Sequence, residues 1–357
     1  MRLALPDWRS AAYRLARPIL FRFDPERVHR VIIRVLRGTS GSATGRRLLA
    51  FAGGVGDIGP SAGVSVMGLR FRNRVGLGAG FDKDGDALAG WAALGFGFVE
   101  AGTVTRDWQP GNPRPRLVRL PAQRALVNRM GFNNAGAASL ARHVMLAREQ
   151  LPEGFVVGVS IGRSKETDDD RAIDDYLACH RLVAPVADYL AVNVSSPNTQ
   201  GLRNLQAPDR LGPILAAIAD AGERIDSVRP LVVKISPDLE PDAFAALIEM
   251  LVDSPASGVI VANTTTAHAG PISGGLSGAP LSSRTLDAVA RVRRLAGDRL
   301  AIIASGGLAG ADEVAAARQA GADLVQLWTG LIYEGPGLIR RAVNAASDGA
   351  AGTISAV

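Results

Sequence analysis

From residue 64 onward the chain alternates short, uniformly apolar runs with longer segments whose apolar positions recur every three or four residues. Runs without polar alternation suit strands buried on both faces, and the 3.6-residue period suits helices packed along one side. Strands are expected at 75–78, 98–101, 156–160, 189–194, 231–235, 258–262, 301–304 and 324–327. Helices are expected at 86–94, 134–148, 170–186, 209–225, 242–252, 282–295 and 312–320, with a last one at 336–346. Eight such units predict an α/β fold, a TIM (β/α)8 barrel. A doubly wound sheet is the rival, but it usually has fewer strands and a phosphate fingerprint after the first. Residues 64–71 read as a small hairpin placed to plug the barrel's base.

The first 45 residues obey a different pattern. Trp8, Ala11, Ala12, Leu15, Ile19 and Leu20 fall at helical spacing, with Arg9, Arg14 and Arg17 between them. A second helix begins with Asp24 as N-cap and Pro25 at its first position. Its apolar stripe is Val28, Val31, Ile32, Val35 and Leu36, and Arg27, Arg30, Arg34 and Arg37 lie off it. A Gly/Ser-rich linker is expected at 38–45, followed by a helix remnant near Leu48. The chain thus divides into a small N-terminal helical domain, 1–45, and a barrel domain, 46–350.

Charge sharpens that division. Residues 1–50 hold 11 arginines and three acids, a balance of +8, so the remainder of this +6 chain is near −2. A basic head on a nearly neutral body argues against nucleic-acid binding and points to an anionic surface. The head lacks the unbroken apolar core of a signal peptide, and no stretch reaches a membrane span. Two short basic amphipathic helices suit a peripheral membrane contact. They equally suit a helical hairpin docked on the main domain with its arginines in water.

Composition narrows the chemistry. The single cysteine, Cys179, rules out an internal disulfide, so a reducing compartment is the default. His29, His143, His180 and His268 show no metal-ligand spacing, and no metal is expected. Gly76-Leu77-Gly78-Ala79-Gly80 places its third glycine one residue early for a dinucleotide fingerprint. The run Asp82-Lys83-Asp84-Gly85-Asp86 hints at a calcium loop, but Ala93 stands where the closing glutamate belongs.

In a TIM barrel, function sits at the carboxyl ends of the strands. Strand one ends in Ala79-Gly80-Phe81-Asp82-Lys83, and strand two in Gly102-Thr103. Strand four ends in Asn193-Val194-Ser195-Ser196-Pro197-Asn198-Thr199, a crowd of amides and hydroxyls able to pair with a planar polar ligand. Without such a ligand this is simply a polar βα loop. Strand six ends in Asn263-Thr264-Thr265. Strands seven and eight end in Ser305-Gly306-Gly307 and Trp328-Thr329-Gly330, glycine turns that suit a phosphate. Lys234 interrupts the apolar fifth strand, a costly placement unless the lysine snorkels to the rim or meets an anion. An anionic reduced flavin would supply that charge.

Several segments together resemble the dihydroorotate dehydrogenase family. They are Ala79–Gly85, the run Glu100-Ala101-Gly102-Thr103-Val104-Thr105, Gln109-Pro110-Gly111-Asn112, Asn128–Asn134, the Asn193–Gly201 cluster and Gly274–Gly278. The resemblance is closest to class 2, the quinone-dependent, membrane-associated branch. The site has serine where class 1 carries cysteine, and the N-terminal helices, with Asp24-Pro25-Glu26-Arg27 and His29, resemble a quinone-access domain.

The resemblance implies oxidation of dihydroorotate to orotate in pyrimidine synthesis, with FMN as bound hydride acceptor and a membrane quinone as final acceptor. Ser196 would be the general base, with Thr199 and Phe132 gating its proton. Asn128, Asn193, Asn198, Asn263 and Thr264 would bind orotate, and Met130, Gly131 and Phe132 would complete that pocket. Lys83 would meet the substrate's carboxylate or the flavin, and Arg129 would lie where the quinone tunnel reaches the ring. Lys234 would face the flavin N1/O2 edge. Gly278, Gly307 and Thr329 would surround the phosphate, with Ala79, Gly80, Phe81 and Thr103 beside the cofactor. Ser160, Ala262 and Trp328 stand at cofactor-contacting positions where the family commonly has asparagine, threonine and tyrosine. The implied location is the cytoplasmic face of the cell membrane. A related FMN barrel with a soluble acceptor, and a catalytically inert phosphate-binding barrel, are the alternatives.

Overall fold

The structure, a computed structural model, describes residues 8–54, 56 and 63–348. Three helices open it: α1 (Trp8–Leu20), α2 (Pro25–Ser40) and α3 (Ala43–Gly53). Asp24 caps α2 by accepting from the Arg27 N–H, and Ser42 caps α3 by accepting from Gly45. The expected linker at 38–45 is therefore mostly helix, and only Gly41 and Ser42 separate α2 from α3. Its glycine serves close packing instead: a Cβ on Gly45 would fall 1.8 Å from the Thr39 carbonyl oxygen.

Next comes an antiparallel hairpin, β1 (Val64–Val66) and β2 (Leu69–Phe71). The chain then runs β3 (Val75–Leu77), α4 (Leu88–Leu94), β4 (Phe98–Val104), β5 (Leu117–Leu120), β6 (Ala125–Asn128), α5 (Ala137–Ala147) and β7 (Val156–Ile161). It continues α6 (Ala172–Val183), β8 (Tyr189–Asn193), α7 (Pro208–Arg224), β9 (Leu231–Lys234), α8 (Pro241–Val252), β10 (Ala256–Val261) and β11 (Gly275–Gly278). The last elements are α9 (Ser282–Ala296), β12 (Ala301–Ser305), α10 (Ala311–Gln319), β13 (Leu324–Leu327), α11 (Thr329–Glu334) and α12 (Gly337–Asp348).

Strands β3, β4, β7, β8, β9, β10, β12 and β13 close into a parallel barrel in that order, as the eight apolar runs predicted. The hairpin does plug its base. Val66 and Phe71 pack with the inward residues Phe98, Val156, Tyr189, Val232, Ile260, Ile303 and Leu324, and Phe71 meets Phe98 edge-on at 5.3 Å. The opposite end is the open mouth. A small antiparallel sheet, β5–β6–β11, stands there and was not expected from the sequence. Its strands have four residues each, and β11 joins β6 from almost 150 positions away in register Gly275 to Asn128.

The face by which α2 docks differs from the stripe read in sequence. Ile33 and Leu36 are its buried apolar residues, whereas Val31, Ile32 and Val35 are exposed. Trp8, Leu15, Ile19, Phe23, Leu48 and Phe51 are exposed as well, and Trp8 and Phe51 stack 5.2 Å apart. The helical layer thus presents far more apolar side chain than scattered surface residues would explain.

Candidate active site

Four inward-pointing polar residues lie deep in the barrel: Glu100 of β4, Tyr189 of β8, Lys234 of β9 and Gln326 of β13. Glu100 is wholly buried and accepts from the Tyr189 hydroxyl at 3.1 Å and the Gln326 amide at 2.8 Å, both on Oε2. Its Oε1 faces the Lys234 Nζ at 3.6 Å. The missing negative charge that the sequence assigned to a flavin is therefore supplied in part by the protein. Lys234 makes no hydrogen bond among the described residues, so its N–H groups are left for the cavity above.

That cavity fills the barrel mouth. Ala79, Gly80, Lys83, Thr103, Asn193, Lys234, Ala262 and Trp328 line it from the strand ends. Asn128, Met130, Gly131 and Phe132 reach in from the β6 loop, Ser196 and Asn198 from the loop after β8, and Asn263 and Thr264 from the one after β10. Gly278, Gly307 and Thr329 line its far end. Glycine is required at two of these places. Gly307 has φ +72°, and a Cβ there would fall 2.4 Å from the Ser282 Cα; Gly278 has φ +104° and no room before the Arg124 carbonyl. Backbone closes around this end as a cradle.

A hydrogen-bonded chain fixes the amides. The Asn263 side chain donates to the Ser195 hydroxyl at 3.0 Å, Ser195 donates to Asn193, and Asn193 donates to the Thr103 hydroxyl at 2.8 Å. Ser160 shares a hydrogen bond with Thr103 at 2.9 Å and is wholly buried behind it, outside the cavity lining. Asn198 donates to Asn128 at 3.0 Å, pairing two loops across the mouth. Thr199 is buried with a hydroxyl that lacks a partner, and it does not line the cavity. Arg129 lies elsewhere: it lines an outer cleft with Asn112, Pro197 and His268 and donates to the Pro115 carbonyl.

A second cavity separates α2 from the mouth, lined by Glu26, His29, Ile33, Phe81, Lys83, Arg116 and Trp328 among others. Lys83 and Trp328 belong to both cavities, and the indole N–H of Trp328 is committed to the Ala79 carbonyl at 3.1 Å. Burial and the nearby Arg116 pull the Lys83 ammonium down to about 8. Burial likewise depresses His29, whose Nε2 contacts the Phe81 carbonyl at 2.6 Å, and pushes Asp82 up to about 6. Asp82 binds the N–H groups of Asp86 and Ala87 and the Trp91 indole, so the run that resembled a calcium loop turns its first carboxylate onto its own backbone.

Glu26 holds this wall together. Arg114 and Arg116 each place two nitrogens on its carboxylate, at 2.8 and 3.1 Å. Burial alone would raise this acid, but hydrogen bonds from Arg116 and Arg114 outweigh that and hold it at about 2. A depressed carboxylate stabilises the fold above its unfolded value near 4.5, and this contribution disappears as pH falls toward 2. Glu26→Gln is expected to free α2 from the β5 region at neutral pH. Limited proteolysis should show faster cleavage before residue 40, and an unchanged digestion pattern would discount the clamp.

Comparison with known proteins decides what this arrangement belongs to. The dihydroorotate dehydrogenase family profile matches residues 61–345. The chain belongs to the dihydroorotate dehydrogenase family. It is 48% identical over 342 residues to the dihydroorotate dehydrogenase (quinone) of Chloroflexus aurantiacus, covering 91% of this chain and 93% of that one. Identity to the protein of the same name from Mycobacterium marinum is 45% over 331 residues, covering 90% and 89%. The crystal structure of DHODH from Eimeria tenella with ferulenol superposes with a TM-score of 0.82, at 33% identity and 90% coverage of both chains. The family resemblance read from the motifs is borne out.

Within this dihydroorotate dehydrogenase chain the sequence missed several residues at the site. Leu117, Leu126, Leu281, Leu308 and Gln326 also line the mouth cavity. A glutamate inside the apolar run of β4 was the one visible signal, of the same kind that singled out Lys234.

Proposed function

We infer that this chain is a quinone-dependent dihydroorotate dehydrogenase that oxidises dihydroorotate to orotate in pyrimidine synthesis and holds FMN in the barrel mouth. The observation that carries this is a single cavity joining Ser196, Lys234, paired asparagines and a glycine cradle, with a second cavity behind Trp328. The residues present suit FMN. Lys234 offers unused N–H groups toward the cavity, Gly278 and Gly307 leave backbone close around a phosphate-sized end, and Thr103 and Asn193 offer polar groups between. FMN, when bound, supplies the acceptor for the hydride leaving C6 of dihydroorotate.

The chain's own groups do the rest. Asn128 and Asn198, already paired, hold the planar substrate by its amide edges with Asn263 and Thr264. Lys83 places an ammonium toward the substrate carboxylate. Ser196 takes the C5 proton as it gives up its own hydroxyl proton to the relay behind it. Thr199, a buried hydroxyl without a hydrogen-bond partner among the described residues, can relay that proton by passing its own on toward solvent. In the second cavity His29 and Arg116 receive the quinone, and Trp328 offers it only an aromatic face.

Because Lys83 is an ammonium mainly below about 8, dihydroorotate binding weakens above that pH. KM is expected to rise there by up to about tenfold per pH unit, and Lys83→Met should flatten the profile. A KM independent of pH between 7 and 9.5 would remove Lys83 from carboxylate recognition.

No helix among the described residues is long and apolar enough to cross a membrane. The exposed apolar side chains of α1–α3, flanked by Arg14, Arg27 and Arg34, support peripheral contact with an anionic bilayer at the cytoplasmic face. This helical layer forms the quinone-access domain, with the barrel domain behind it. The decisive experiment is anaerobic: dihydroorotate should bleach the flavin absorbance of the purified protein, and a quinone analogue should restore it. Colourless protein, or flavin that dihydroorotate leaves oxidised, defeats the proposal.

A further inference from the structure

Glu100 is a fully buried carboxylate whose place in the fold exceeds what barrel packing requires. It projects from the centre of β4, where every residue is buried. It does not line the mouth cavity, whereas Lys234 and Gln326, which it touches, both do. The carboxylate therefore lies one layer below the ammonium. Two donors converge on one of its oxygens, and the other has no hydrogen bond and looks toward Lys234 at 3.6 Å. A pair serving stability alone would close to the 2.7–2.9 Å typical of charge-assisted hydrogen bonds. This one stays open, so the ammonium keeps its hydrogens for the cavity while remaining within the carboxylate's field. In a buried setting that field is weakly screened and reaches the ligand above.

We propose that Glu100 is a positioning residue that acts through Lys234 to set the reduction potential of the flavin held in the mouth. The positive charge of Lys234 favours the negatively charged reduced ring. Glu100 offsets part of that charge and holds the potential down, which keeps the reduced ring ready to give its electrons to the acceptor. Tyr189 and Gln326 fix the carboxylate's height by occupying Oε2, leaving Oε1 as the face turned to Lys234. The inference rests on FMN being the cavity's ligand.

Glu100→Gln removes the negative charge and keeps the shape. Its flavin potential, measured by equilibration with a reference dye, should rise by at least tenfold in the two-electron equilibrium constant, about 30 mV. Glu100→Asp, which retains the charge, should stay nearer the unaltered protein. An unmoved or lowered potential in Glu100→Gln overturns the proposal, even with a lower melting temperature, because a purely structural residue would change stability alone. Should Glu100→Gln fail to fold or to hold flavin, Tyr189→Phe serves: it strips a donor from the carboxylate, strengthens its field and should lower the potential. No change there also overturns the idea. Protein purified without any flavin would defeat the FMN reading itself, an outcome distinct from a bound flavin indifferent to Glu100.

Discussion

Ser196→Ala is expected to slow dihydroorotate-dependent flavin reduction by roughly 10²- to 10⁴-fold, the range typical of a lost general base, while flavin content and orotate affinity stay close to normal. The separation follows from the loop after β8. Asn198 reaches across to Asn128 at 3.0 Å, so the substrate-holding amides are fixed mainly by each other and only weakly by the serine. Among the described residues, the only hydrogen bond to the Ser196 hydroxyl comes from the Asn198 N–H at 3.3 Å, and no carboxylate or imidazole binds it. Its removal should therefore leave binding intact and remove only the proton acceptor. Anaerobic stopped-flow separates the two. A normal rate of flavin bleaching excludes Ser196 as base, and loss of orotate binding would make it a binding group.

Lys234→Met should be the most destabilising single substitution in the site. It leaves the Glu100 carboxylate buried without its cation, and breaking a buried pair in this way costs about 3–5 kcal/mol. In a domain of this size the loss corresponds to a fall in melting temperature of roughly 10 °C. The variant should also lose flavin, since the unused N–H groups above the pair disappear. Combining Lys234→Met with Glu100→Gln removes both charges and should recover most of the stability, because the penalty lies in the orphaned carboxylate. Flavin retention should not recover. Calorimetry on the three proteins checks this. A Lys234→Met protein melting within a degree of the original would mean that the pair is solvated.

Much of the architecture was legible because a parallel barrel writes itself as unbroken apolar runs. Leu231-Val232-Val233 or Ala301-Ile302-Ile303-Ala304 has little choice but a strand covered on both faces. The strand-end polar clusters were legible for the same reason, since they interrupt those runs. Lys234 was noticed on that logic, yet Glu100, in an equally apolar run, was passed over as part of a motif. Its partner could not be read because β4 and β9 meet only across the closed barrel. The sheet β5–β6–β11 escaped for a related reason: Gly275-Leu276-Ser277-Gly278 has no strand pattern until β6 supplies its register. For α2 the stripe was sound as periodicity but mistaken as to burial. Ile33 turns inward because Glu26 and its two arginines fix the helix's rotation, and no local pattern announces a contact about 90 residues away.

The hairpin at the base of the barrel has a consequence for how the molecule comes apart. Phe71 and Val66 belong to one buried apolar cluster with side chains from seven of the eight staves, so no half-barrel can shed its partner without uncovering that common apolar knot. Opening at the mouth is local, whereas opening at the base is all-or-none. Amide protons of the central staves near Phe98, Tyr189 and Ile303 should then exchange with solvent only through global unfolding, and as one cooperative group.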